Sequence, residues 1–246
     1  MIKLFRNVRK QLLGENRFSK YLLYAIGEII LVVIGILIAI QLDSWRTERK
    51  NEKTEISYLH SILEELKVDS LSHINGWERR YPQKIEGLNL AKDFLHSQPQ
   101  IEDSIAFINK VGLGGMGGIG NMRLNNRTYL DLINTGNFGL IQQDDIRNQI
   151  SYYYSYLDFT MDYLDKLRTD YPRKLNSLRP FDPNNVDKVD KRDIKHFFES
   201  IKQNDILDLI NQELTFAHSA DNRYNDSHRI CSELIDSIRA YLKKIE

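Results

Sequence analysis

Residues 21–45, YLLYAIGEIILVVIGILIAIQLDSW, decide how the rest of the chain is read. Between Tyr21 and Leu42 the only ionisable side chain is Glu28 and the only amide is Gln41. At about 1.5 Å per residue these residues make a helix about 33 Å long, close to the roughly 30 Å hydrocarbon core of a bilayer. The strictly apolar run, Ile29–Ile40, reaches only about 18 Å, so a span must extend past Glu28 or Gln41. Asp43 and the charges after Trp45 close the far end, which places Glu28 inside the membrane. Tyr21 and Tyr24 at one end and Trp45 at the other stand where interfacial aromatic anchors belong.

The flanks set the expected orientation. Residues 1–20 hold Lys3, Arg6, Arg9, Lys10, Arg17 and Lys20 against Glu15 alone, whereas residues 43–55 hold four bases and four acids. Basic residues near helix ends favour the cytoplasmic side. The N-terminus is therefore expected in the cytoplasm and residues 46–246 outside the inner membrane of a bacterium. A cleaved signal peptide is disfavoured, because no A-x-A site follows the apolar run.

One stripe of this helix stands out. Glu28, Gly35 and Ala39 recur at helical spacing, and Gly35-x-x-x-Ala39 is a small-xxx-small pair that lets another helix approach closely. A carboxylate inside a span is a functional candidate by default, since leaving it unpaired in lipid is costly. The stripe is the expected contact, either with another copy or with a multi-span membrane protein. Upstream, Ile2, Phe5, Val8 and Leu12 share a helical face and Lys3, Arg6, Arg9 and Lys10 lie mostly elsewhere. That pattern predicts a short basic amphipathic helix on anionic lipid headgroups.

YAIGEI, VVIGILIA and the following Gln41 and Trp45 resemble the N-terminal signature of an uncharacterised family of bacterial single-pass inner-membrane proteins, a domain of unknown function. The leader MIKLFRNVRKQLLGENRFSKY and the later TYLDLINTGNFGLIQQDDIRNQI are similar too. The resemblance implies a short cytoplasmic leader and a mostly helical external domain, and it implies no activity.

Beyond Trp45 the chain is expected to be all-α, with the span continuing into a stalk and an antiparallel helical bundle outside. Leu59, Leu63, Leu66, Ile74, Trp77, Tyr81, Ile85 and Leu88 follow at helical spacing, predicting one long helix over about 46–97, kinked before Pro82. Shorter helices are expected near residues 101–111, 126–136, with Asn126 as N-cap and Gly136 as C-cap, and 193–201. Ile146, Ile150, Tyr153, Leu157, Met161 and Leu164 mark another, starting at Asp144 or Asp145. The stretch 171–191, with Pro172, Pro180 and Pro183, reads as the longest loop. Residues 204–217 and 221–245 read as two further helices, and no strand pattern is visible.

The chemistry on offer is thin. Lysine plus arginine and aspartate plus glutamate balance at 34 each, so no global field advertises nucleic acid as a partner. The lone cysteine, Cys231, permits no internal disulfide and reads as packed. The six histidines lack the spacing of a metal site, no nucleophile motif is present, and no cofactor is implied. Residues 112–120, GLGGMGGIG, match a dinucleotide-type glycine pattern twice, but the expected strand and helix around it are missing. They read as a flexible apolar loop. The reading is a non-enzymatic membrane-anchored interaction protein. The alternatives are an accessory subunit of a proton-linked membrane complex using Glu28, or an external sensor whose tyrosine-rich helix lines a cleft.

Overall fold

A computed structural model describes residues 18–76, 80–116, 125–182, 184–203 and 205–246, and it is mostly helical. The basic leader, with Lys3, Arg6, Arg9 and Lys10, lies outside the described residues, as do the side chains of Tyr21 and Tyr24. The chain divides into two units, Met1–Glu55 and Ile56–Glu246.

The first unit is described from Phe18 onward and is one continuous helix through its length. This helix, α1, runs Phe18–Gly76, and the first proline of the chain comes only at position 82. Its most apolar window has a mean hydropathy of 2.6, and none of that window is buried. Leu31 is 70% exposed and Leu37 59%. Among the described residues it is the one helix long and apolar enough to cross a membrane.

Among the described residues the second unit takes residues 56–76 of α1, seven further α-helices, α2 (Arg80–Ser97), α3 (Ser104–Gly114), α4 (Arg127–Asn134), α5 (Asp144–Lys166), α6 (Tyr171–Leu178), α7 (Ile194–Ser200) and α8 (Ile206–Ile245), and a 3-10 turn at Asn137–Leu140. The single helix expected over 46–97 is described in two parts, α1 up to Gly76 and α2 from Arg80, with residues 77–79 outside the described residues. Pro82 stands near the start of α2, the part of a helix where a missing N–H costs least. Asp103 caps α3, accepting from the N–H groups of Ile105 and Ala106. Gly136, at φ 71°, takes the left-handed conformation that closes α4.

Two expectations for the C-terminal half need correction. The predicted loop 171–191 contains α6, which tolerates Pro172 at its very start, and a small antiparallel hairpin, β1 (Phe181–Asp182) with β2 (Asn185–Val189). Asp182 accepts from the N–H of Asn184, an Asx turn that reverses the chain. The chain is thus not purely helical. The two helices expected over 204–245 are one, α8, 40 residues and about 60 Å long. The polar run His218–Asn222 suggested a break, yet Ala217, Ala220 and Tyr224 are buried and carry the apolar period straight through it.

α8 is the spine of two cores. Its first half, with Ile210, Phe216, Ala217 and Tyr224, packs with α2, α3, α6 and α7 around Leu88, Ile108, Val111, Leu175 and Phe197. Its second half, with Cys231, Leu234, Ile238 and Leu242, packs with Leu59, Ile62 and Leu66 of α1 and Ile150, Tyr153 and Leu157 of α5. Several of these side chains, Leu59, Ile62 and Ile238 among them, are completely buried. Each fully buried aliphatic side chain contributes about 1.5–3 kcal/mol relative to exposure.

Candidate functional site

The residues of the expected contact stripe lie on the exposed part of α1. Residues 27–50 are all exposed. A Cβ added at Gly27 or Gly35 would meet nothing within 4 Å, so neither glycine is needed for packing within the chain. Glu28 has no ion pair or hydrogen bond among the described residues. Glu28, Gly35 and Ala39 therefore line a bare face. At the far end Trp45 is 49% exposed, and the Arg49 guanidinium lies 4.3 Å from its ring centroid. Stacking a guanidinium on an indole joins an apolar ring to a charge, the combination suited to a membrane–water boundary.

In the second unit the most chemically loaded group is Lys84, which sequence reasoning missed. Its Nζ lies 2.5 Å from Glu213 Oε1 and donates to the carbonyls of Gly114 and Met116, each at 2.8 Å. The two side chains are 4% and 2% exposed. All three ammonium protons are used, and Glu213 also accepts from the Thr169 hydroxyl. Burial pushes the Lys84 pKa down and Glu213 opposes that shift. With no open approach the pair is a structural tie: a cation from α2 satisfies the C-terminal carbonyls of α3 and is neutralised from α8.

The same corner explains the glycine run. Residues 112–114 end α3 and Gly115 caps it, so this part is not the flexible loop expected; residues 117–120 lie outside the described residues. A Cβ on Gly87 would stand 2.4 Å from the Lys110 carbonyl oxygen, and one on Gly115 would stand 2.6 Å from Leu175 Cδ2. The glycines let α2 and α3 touch backbone to backbone.

A second buried polar group sits at the far end of α1. Asp69, 5% exposed, accepts from Asn125 Nδ2 at 2.8 Å and from the Tyr153 hydroxyl at 3.1 Å. Burial raises its pKa, and those hydrogen bonds only partly offset the effect. One turn earlier Glu65 accepts from the backbone N–H and the hydroxyl of Thr128, and so caps α4 from another helix. Asn126, the expected cap, makes no side-chain cap bond. Cys231 is buried beside this group, donates to the Leu66 carbonyl at 3.4 Å, and has its thiol pushed up to about 12 by burial, as a packed cysteine should.

Of the tyrosine cluster, Tyr153 and Tyr154 are core, Tyr152 is exposed, and Tyr156 is half-buried. None of them lines the open groove of about 650 Å³ between α6 and α8, whose walls include Asp170, Lys174, Asp205, Asp208 and Gln212. Lys174 in that groove is already engaged by Asp205 and Gln203. No cluster of three or more histidine, cysteine or acidic side chains able to hold a metal occurs among the described residues.

The chain is thus a bare apolar helix with a lone acid leading into a mostly helical folded unit. By its match over residues 28–210, most of the chain, it belongs to a family of unknown function, DUF6090. The match begins at Glu28 itself and takes in the expected contact stripe together with most of the folded domain. No curated protein and no solved structure matches it.

Proposed function

We propose that this chain is a non-enzymatic, single-pass membrane-anchored protein that acts through protein–protein contacts. The observation carrying this reading is the exposed surface of α1 from Ile26 to Leu42, apolar except for Glu28 and Gln41, on a helix that also supplies core residues to a folded domain. Exposed apolar area on that scale is unsustainable in water and natural in lipid. The leader bases Lys3, Arg6, Arg9 and Lys10 bind anionic headgroups on the cytoplasmic side, Tyr21, Tyr24 and Trp45 sit at the interfaces, and the domain stands outside the inner membrane. Glu28, Gly35 and Ala39 form the lateral contact. The buried pairs of the domain are fully engaged in holding helices together, which supports binding rather than catalysis.

Crosslinking from residues 28–39 in native membranes, followed by mild-detergent purification and mass spectrometry, tests this. Capture of a protein partner, either a second copy or a multi-span protein, is expected, and protein-free lipid adducts alone would contradict it. Glu28, exposed in the span without a partner of its own, also favours a second reading, an accessory subunit of a proton-linked complex. Glu28→Gln separates them: a packed contact tolerates the amide, whereas a proton path is abolished by it.

A further inference from the structure

The continuity of α1 fixes the angular register of every side chain from the span into the segment beyond Trp45. At about 100° per residue, Glu28, Gly35, Ala39, Arg46, Arg49, Lys50 and Lys53 all fall within about 60° of one line along the helix. Glu48, Glu52 and Glu55 fall at least about 120° away, with Asp43 on the border at about 60°. All four bases are exposed, and none has an ion pair among the described residues. Arg46–Arg49, Arg46–Lys50, Arg49–Lys53 and Lys50–Lys53 are like-charged i,i+3 or i,i+4 pairs along that face, with Asp43 and Glu52 the acids nearest its two edges. Like pairs at this spacing destabilise an isolated helix.

The folded domain does the opposite. Its exposed helices pair bases with acids at three and four residues, as in Lys67–Glu64, Lys166–Asp162, Arg168–Asp165, Arg229–Glu233 and Arg239–Asp236. The line of bases just past Trp45 lacks such pairing among the described residues, and it is aligned with Glu28.

We infer that this face docks onto a different integral membrane protein. That partner carries an acidic patch just above the membrane surface and, within the bilayer, a close-packing helix with a hydrogen-bond donor level with Glu28. The inference rests on the anchored reading of α1. A second copy inserted in the same direction would set four bases against four bases and Glu28 against Glu28, so charge complementarity favours a different protein as the occupant. Lipid alone is also insufficient. Measured from Trp45, Arg46 and Arg49 lie about 1.5 and 6 Å along the axis, within a headgroup layer about 5–8 Å thick, but Lys53 lies about 12 Å out. Nor does lipid account for an acid in line with those bases inside the span.

The test is photocrosslinking of the full chain in native membranes, with the probe at Ala39 or Lys50 on the face and at Leu37 or Glu48 off it. The same partner is expected from Ala39 and Lys50 and from neither control. Combining the probe at Ala39 with Arg46→Glu, Arg49→Glu and Lys53→Glu should cut the yield about tenfold, while the matching Arg→Lys changes preserve it. Removing bases from the outer flank strengthens the expected orientation, so inverted insertion is not the cause of such a loss. Self-crosslinked dimers, lipid adducts alone, or a yield indifferent to charge reversal would overturn the inference. A partner captured only from a probe at Phe159 in the domain would also overturn it, while leaving the anchored-interaction reading intact.

Discussion

Leu31 and Leu59 belong to one helix, yet the first is 70% exposed and the second completely buried. The residue type, the backbone and the local spacing are the same. Under the proposed anchored reading, what differs is the medium around each half. Residues 25–42 are apolar on every side but for Glu28 and Gln41, the pattern a helix in lipid requires. Residues 56–71 are apolar on a stripe, Leu59, Ile62, Leu63 and Leu66, the signature of a helix whose solvent is water on one side and protein on the other. A helix can change solvent without changing conformation, because its backbone hydrogen bonds are satisfied internally in both.

Substitutions can break this comparison. The largest effect is expected at the buried tie: Lys84→Met leaves the Glu213 carboxylate buried without its cation and should lower domain stability by about 3–5 kcal/mol. Chemical denaturation of the full chain in detergent measures it. Ile62→Ala should cost about 2–5 kcal/mol by the same readout, whereas Leu31→Ala should leave domain unfolding unchanged. Equal effects at the two positions would erase the distinction between the halves. Gly87→Ala forces a methyl against the Lys110 carbonyl oxygen and should cost about 1–3 kcal/mol.

Asp69 gives the smallest effect and one that depends on pH. Its folded-state pKa is raised above the ordinary 3.8 by burial, so the stabilisation from its protonation is complete below 3.8 and is lost as pH rises through the raised value. Asp69→Asn removes that dependence. The stability difference between the two proteins should therefore move in favour of the asparagine variant as pH rises from about 4 to about 7. A difference that stays constant with pH would mean that Asp69 titrates alike in the folded and unfolded chains.

The elements legible in the sequence were those carried by local pattern. The apolar length of 21–45, the helix near 101–111, Gly136 and the period of α5 each depend on residues within a turn or two. What escaped depends on contacts between distant residues. Lys84 and Glu213 have no motif, because an ion pair across 129 positions leaves no local trace. Glu65 displaces Asn126 as the cap of α4 only because α1 passes beside it. Gly112, Gly114 and Gly115 look flexible in sequence and are fixed in place because Gly87 packs against Gly114 and Leu175 against Gly115. The break expected near residue 218 followed polar residues on the outer face of α8, while small buried alanines kept the inner face intact.

The most direct test of the anchored reading is labelling of single introduced cysteines with a membrane-impermeant maleimide in intact spheroplasts. Cys231 is buried with a thiol pushed up to about 12, so it stays silent and needs no removal. Ile133→Cys, on the exposed face of α4, should label without lysis, and Leu31→Cys should resist labelling until the membrane is dissolved. Labelling of Leu31→Cys from water, or of Ile133→Cys only after lysis, would contradict the account.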